Sequence, residues 1–331
     1  MKASNSCKIQ EYRYPVKNNG FDEAYLKDYM LHKTKHIDIS AVRHLYPFKS
    51  HYVKVNGLNY HFLDQGAGDP VVMLHGNPTW SFYFRNLVKG LSSQFRTIVP
   101  DHMGCGLSDK PDVDQYDYRL KSRVDDLENL LDTLGINQNI TLVLHDWGGM
   151  IGMAYALRHP ERIHRFVVMN TAAFLLPKGK ALPVRLRLIR NIKPFAALAV
   201  LGFNIFACGA LFMASFKGLE KDVKSGLIAP YNSWNNRIAT LKFVQDIPVK
   251  KKDPSYRLAK YVDDNLYRLK HIPMLILWGE HDFVFDMDFL LEWQRRFPDA
   301  KVKTFKDAGH YVLEDAADRI ILMVKNFLKV H

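Results

Sequence analysis

The sequence predicts an α/β fold: a mostly parallel sheet with helices on both faces, and a helical cap inserted between its later strands. Three observations carry this. Short apolar runs alternate with helix-spaced segments from His51 to Met169, and the alternation stops near Thr171 and resumes at Ile272. The run Leu144-His145-Asp146-Trp147-Gly148-Gly149 joins a strand to a helix through a tight, glycine-rich turn.

Taken in order, residues 1–50 are basic and weakly periodic, and Tyr14, Pro15, Asn18, Asn19 and Gly20 read as an extension rather than core. Tyr52-Val53-Lys54-Val55, Asn56-Gly57 and Leu58-Asn59-Tyr60-His61-Phe62 form a hairpin pattern with a primed turn. Val71 to Leu74 is a short strand entering His75-Gly76-Asn77-Pro78, and Ser81 to Leu91 follows with helical spacing. Thr97 to Pro100 is the next strand. Tyr118 to Leu134 is a long amphipathic helix with Leu120, Val124, Leu127, Leu130, Leu131 and Leu134 on its apolar face. Ile140 to Leu144 and Ile163 to Met169 are strands around the helix Met150 to Leu157. From Thr171 to Lys270 the pattern is helical, basic and bulky, with no clear strand. Ile272 to Trp278, a helix near Phe289 to Phe297, the strand Lys301 to Phe305 and a terminal helix complete the chain. The expected division is an N-terminal extension (1–50), a core (51–170 and 271–331) and a cap (171–270) lying over the carboxyl ends of the strands, where open α/β sheets bind ligands.

At 331 residues the chain is long enough for one large α/β domain, or one with an inserted subdomain. Hydrophobic residues at 47% and charged residues at 24% match an ordinary globular protein and give no support to disorder or a fibrous repeat. The net charge of +12 suits nucleic acid, an anionic membrane surface, an acidic partner or a solvated basic face. No zinc-finger spacing or aromatic RNA-binding signature accompanies it, so nucleic acid is not an expected partner. Cys7, Cys105 and Cys208 are odd in number and scattered, which fits reduced thiols, and none sits beside a plausible base. The first residues lack a signal-peptide stretch, and the expected location is cytoplasmic. From Pro194 to Phe216 there is no charge, yet Pro194, Gly202, Asn204 and Gly209 interrupt the run. A buried or surface-lying apolar helix is expected there rather than a spanning one.

The chemistry centres on Asp146, a carboxylate where a hydrolase elbow normally carries serine. A carboxylate nucleophile attacks an electrophilic carbon and leaves an enzyme ester, which favours sp3-carbon and strained-ring substrates. Asp282, in Gly279-Glu280-His281-Asp282, and His310, in Asp307-Ala308-Gly309-His310, each follow a strand, and the order nucleophile, acid, histidine is that of α/β-hydrolases. His310 is the expected base or assistant and Asp282 its orienter, with Glu280, His281 and Asp286 as alternatives for the latter. Asn77 offers a backbone and an amide N–H, and Trp147 an indole and a backbone N–H, to a leaving anion. Gly104-Cys105-Gly106 lacks the Lys and Ser/Thr of a phosphate loop and reads as a tight turn. No metal-ligand cluster stands out, and neither metal nor cofactor is expected.

The motifs His-Gly-x-Pro, Asp-Trp-Gly-Gly, Gly-x-x-Asp and Gly-His together resemble the haloalkane dehalogenase and epoxide hydrolase branch of the α/β-hydrolase superfamily, over residues 51–330. That resemblance implies an eight-stranded sheet and places a halide-binding pair at Asn77 and Trp147. The segments HGNPTWSFYFRNLV, PDHMGCGLSDKP, YRLKSRVDDLENLLD and SWNNRIATLKFVQDIP are similar to the β-lactone decarboxylases of bacterial long-chain olefin biosynthesis. These dehalogenase relatives convert a cis-β-lactone bearing two alkyl chains into a cis-alkene and carbon dioxide. The resemblance implies a hydrophobic small-molecule substrate and assembly with other olefin-biosynthesis enzymes. Arg185, Arg187, Arg190 and Lys193, beside the apolar run, would hold the cap against anionic lipid as a peripheral membrane contact, or form a solvated basic face. Three alternatives stay open: a haloalkane dehalogenase, an epoxide hydrolase using Tyr231, Tyr261 or Tyr267 of the cap, and a non-catalytic lipid-binding or scaffold protein on the same fold.

Overall fold

The computed structural model describes residues 37–329. Eight strands form one sheet: β1 (His51–Val55), β2 (Leu58–Gln65), β3 (Pro70–Leu74), β4 (Arg96–Pro100), β5 (Ile140–Asp146), β6 (Ile163–Thr171), β7 (Met274–Gly279) and β8 (Lys301–Phe305). Their spatial order is β1-β2-β4-β3-β5-β6-β7-β8. The β1–β2 hairpin turns through Asn56 and Gly57 with φ of 51° and 84°, the two positive values a primed turn requires. β2 pairs antiparallel with β4, and every later pairing is parallel.

Parallel strands are covered on both faces, so alternate residues serve opposite layers. Val72, Leu142, Phe166 and Ile276 enter one apolar core, and their neighbours Val71, Val143, Val167 and Leu275 enter the other. The helices preceding the cap are α1 (Arg85–Leu91), α2 (Leu120–Thr133) and α3 (Trp147–Arg158). The cap contributes α4 (Val184–Asn191), α5 (Lys193–Ala196, prolonged by a π-helical stretch Ala197–Gly202), α6 (Ile205–Met213), α7 (Lys221–Ile228), α8 (Ile238–Gln245) and α9 (Tyr256–Asn265). After it come α10 (Met287–Arg296), α11 (Val312–Asp315) and α12 (Ala317–Lys329). The stripe Leu120, Val124, Leu127, Leu130 and Leu131 of α2 is buried on one side of the sheet, whereas Leu87 and Leu91 of α1 and Ile320 and Val324 of α12 fill the other.

Two expectations change on contact with the structure. Residues 1–36 lie outside the described residues, but from residue 37 onward the expected extension is core. Ile39, Val42, Tyr46 and Phe48 are buried, and the Tyr46 hydroxyl meets Ser81 Oγ at 2.6 Å. A short 3-10 turn and irregular backbone carry these side chains inward, so no periodicity marks them. The uncharged run is not one helix. α5 and its π-helical extension meet α6 at 69°, with Asn204 left-handed at the break and Arg237 Nη1 binding the Leu201 and Gly202 carbonyls. No single helix among the described residues is long and apolar enough to cross a membrane.

Candidate active site

β3, β5, β6, β7 and β8 all end at one edge of the sheet, and the chemistry-bearing residues lie just past those ends. Asp146 closes β5 with φ 49° and ψ −123°, a backbone conformation that a residue with a side chain adopts only under constraint. It occupies the N-cap position of α3, yet its carboxylate makes no capping bond to that helix. Instead Asp146 Oδ1 accepts the Asn77 backbone N–H at 2.8 Å, and the Trp147 backbone N–H also faces the carboxylate. The Thr171 hydroxyl donates to the Asp146 carbonyl, fixing the turn from β6.

The elbow closes only because its neighbours are small. A Cβ at Gly76 would overlap the Asp146 carboxylate, one at Gly148 the Leu74 carbonyl, and one at Gly149 the Thr171 hydroxyl. Burial raises the Asp146 pKa above the ordinary carboxylate value, against the opposing pull of His310 and the two backbone N–H groups.

His310 Nε2 lies 3.7 Å from Asp146 Oδ2, and its Nδ1 lies 2.8 Å from Asp282 Oδ2. Burial lowers the His310 pKa, but the carboxylates of Asp282 and Asp146 outweigh it and leave the imidazole above its usual range. Asp282 is fully engaged. Its Oδ1 accepts the Val284 and Phe285 backbone N–H groups, and its Oδ2 accepts Asn170 Nδ2 as well as His310. Two of the other three candidates for orienter are occupied elsewhere: Asp286 caps α10 and holds Lys180, and His281 stacks on Phe216 and reaches the Lys306 carbonyl, while His310 Nδ1 meets Asp282 and not Glu280.

Asn170, to which the sequence assigns no role, bridges Gly279 and Asp282 from the end of β6. Its φ of 35° is positive, as it is at Asn56, Asn139, Asp146 and Asn204, so only its contacts set it apart.

Asn77 and Trp147 both line the cavity above the carboxylate. The Asn77 amide Nδ2 donates to the Thr240 carbonyl of α8 at 3.0 Å, so one of its two N–H groups is spent on the cap. Its backbone N–H, not its amide, touches the Asp146 carboxylate. The Trp147 indole N–H has no hydrogen-bond partner among the described residues. Behind it lies buried Arg123, 3.7 Å from the Phe243 ring centre and 5.7 Å from that of Trp147. Arg123 is paired with the buried Asp246 carboxylate at 3.4 Å, so it is chiefly the amino end of α3, with its free N–H groups, that makes this corner favourable to an anion.

The cavity holds about 580 Å³. Its floor is Asp146, Trp147, Asn77 and His310, and its walls are mostly apolar side chains of the cap and of the loop after β7, among them Leu186, Phe206 and Phe285, with Lys180, Arg185 and Asp286 also lining it. Tyr311 is the one tyrosine lining it among the described residues. Tyr231 is buried against the Thr79 carbonyl, and Tyr261 and Tyr267 are exposed elsewhere, so none of the three can act as the acid of an epoxide hydrolase. The Gly104-Cys105-Gly106 turn is no phosphate cradle, because its carbonyls converge on Lys110 Nζ at 2.6 to 3.0 Å. Among the described residues no cluster of His, Cys, Asp or Glu is arranged to hold a metal.

A family model described as the alpha/beta hydrolase fold matches residues 69–317. A cis-3-alkyl-4-alkyloxetan-2-one decarboxylase from Shewanella oneidensis is 52% identical over 86% of this chain and 89% of its own length. A second protein of that name, from Xanthomonas campestris pv. campestris, is 43% identical over 82% and 93%. The chain belongs to the α/β-hydrolase family, in the decarboxylase group of these relatives. The haloalkane dehalogenase DbeA from Bradyrhizobium elkani shares the fold, with a TM-score of 0.78 at 24% identity over 85% of this chain and 97% of that one.

In this α/β-hydrolase, Gly76→Ala tests how tightly the elbow is set. The added methyl displaces the Asp146 carboxylate, and kcat falls by about 10²-fold, the effect of shifting a reacting group by around 1 Å. The circular dichroism spectrum stays that of the parent. A variant with full activity would mean that the carboxylate does not act from this position.

Proposed function

We propose that this chain decarboxylates a cis-3,4-dialkyl β-lactone to a cis-alkene and carbon dioxide, with Asp146 as nucleophile. The observation that carries the reading is the carboxylate itself. One oxygen is pinned by a backbone N–H, the other faces His310, and both sit at the foot of a largely apolar cavity of about 580 Å³. Two alkyl chains need such a cavity, and an aspartate needs a carbon that takes a nucleophile readily.

The electron accounting is complete without water. Asp146 Oδ2 attacks the ring carbon that bears the lactone oxygen, that C–O bond breaks with inversion, and a free carboxylate remains on the neighbouring carbon. The Trp147 indole N–H and the remaining Asn77 amide N–H would hold it, in keeping with both residues lining the cavity. Loss of carbon dioxide then breaks the carbon–carboxylate bond, its electron pair forms the alkene, and the ester C–O bond releases Asp146 as carboxylate. Inversion followed by anti elimination keeps the two chains cis. His310, whose charged form Asp282 favours, steadies the carboxylate as it returns. Attack at the lactone carbonyl, giving an anhydride, is the competing route.

A haloalkane dehalogenase would use the same nucleophile and anion corner, so product identity decides between them. Purified protein given a cis-dialkyl β-lactone, a long-chain haloalkane and an epoxide, each beside an Asp146→Ala control, is expected to release alkene from the lactone. Halide release from the haloalkane at a comparable kcat/KM, with no alkene from the lactone, would replace this reading by the hydrolytic one.

A further inference from the structure

We propose that the exposed apolar face of α4, α5 and α6 is a bilayer-docking surface that seats the cavity mouth among the acyl chains of an anionic membrane. The face is built outward. Val184, Leu188, Ile192 and Phe195 recur at helical spacing and are all exposed, while Ile189 points inward. Leu198, Phe203, Ile205, Phe212 and Met213 continue the patch, with Phe203 68% and Phe212 74% exposed. The 69° bend between α5 with its extension and α6, together with their short lengths, suits helices that lie on a membrane rather than cross it.

Charge selects the occupant. Between Ala172 and Leu219 the chain carries seven Lys or Arg and no Asp or Glu. Arg187 and Lys193 are exposed and form no ion pair among the described residues. Lys250, Lys251 and Lys252 add to this rim, drawn beside α4 by Arg190, which binds the Ile247 carbonyl and the Asp253 carboxylate. An apolar patch with a basic rim complements anionic lipid. Two copies meeting through the same face would bring like-charged rims together.

Position ties the surface to the site. Leu188, Phe195, Ile205 and Met213 are exposed and also line the cavity, so the cavity opens through this face. A two-chain lactone and its alkene product dissolve in a bilayer rather than in water, so seating the mouth there loads one and discharges the other. This last step rests on the proposed substrate. The lipid contact stands on the surface alone.

The test is sedimentation of the full chain with vesicles of phosphatidylcholine, with and without phosphatidylglycerol. Leu198→Ser/Phe203→Ser/Phe212→Ser changes residues that do not line the cavity. Its binding is expected to fall about a hundredfold. Arg187→Glu/Lys193→Glu is expected to lose binding to anionic vesicles by at least about tenfold and to keep whatever binding neutral vesicles show. On a short, soluble β-lactone the triple variant turns over as the parent does, and on a long-chain lactone presented in vesicles it is slower. Equal vesicle binding by parent and triple variant, or none by either, overturns the proposal. So does a parent that is oligomeric by light scattering and becomes monomeric in the triple variant, which would make the face a protein interface. Vesicle binding is read without turnover, so failure of the decarboxylase reading would show separately, as absence of alkene from the soluble lactone.

Discussion

Asp146→Asn is expected to abolish alkene formation from a cis-dialkyl β-lactone, lowering kcat/KM by about 10⁴-fold or more, as loss of a nucleophile does elsewhere. The substitution isolates chemistry from architecture. Asparagine tolerates positive φ better than most residues, and its carbonyl oxygen can still accept the Asn77 backbone N–H. Fold and cavity therefore persist while the attacking oxygen is lost. The stability should move the other way. Burial raises the Asp146 pKa, so the folded protein disfavours the charged form that neutral pH imposes on it. Replacing that charge by a neutral amide removes the conflict, and the midpoint of thermal unfolding is expected to hold or rise. Gas chromatography of the alkene and a melting curve check the two halves. A variant that stays within tenfold of the parent's activity would remove Asp146 from the mechanism, and one that melts well below it would mean that the carboxylate is structural.

What the sequence carried, and what it did not, divides along the range of the interactions. The hairpin at Asn56-Gly57, the elbow at Asp146 and the positions of Asp282 and His310 after β7 and β8 are local matters, set by turn chemistry, strand period and chain order. Those were legible. Asn170 was not, because its role depends on β6 and β7 lying side by side so that its amide can span Gly279 and Asp282. Asn77 was read for its residue type, but its amide is engaged by the Thr240 carbonyl, 163 positions away, and its backbone N–H is what meets the Asp146 carboxylate. Ile39, Val42, Tyr46 and Phe48 escaped for a related reason. They pack through an irregular segment, and period-based reading sees only regular ones. The bend between α5 and α6 was foreshadowed by Gly202 and Asn204, whereas its angle needed the Arg237 contact to the carbonyls.

His310→Gln separates the two fates of the enzyme ester. If water hydrolysed that ester, a neutral His310 would have to take the proton, and the variant would stop after one turnover with Asp146 alkylated. The structure argues for the other fate. In the ester Asp146 is no longer a carboxylate, but Asp282, the stronger of the two influences that raise the His310 pKa, stays on Nδ1 and favours the charged imidazole over the neutral base. Decarboxylation of the ester neither takes up nor releases a proton. The histidine only eases the return of charge to Asp146, a contribution of about 10²–10³-fold, comparable to one donor of an oxyanion site. The expected result is therefore a slower enzyme that still turns over, with no alkyl adduct at Asp146 by intact mass. In oxygen-18 water the wild-type Asp146 is expected to stay unlabelled after a single turnover, since hydrolysis at the ester carbonyl is the step that would leave the label there. A burst of one equivalent followed by a trapped adduct in His310→Gln, or label in wild-type Asp146, would return this site to hydrolysis. An imidazole 3.7 Å from the carboxylate fits either fate by distance alone, so the trapped species and the label carry the decision.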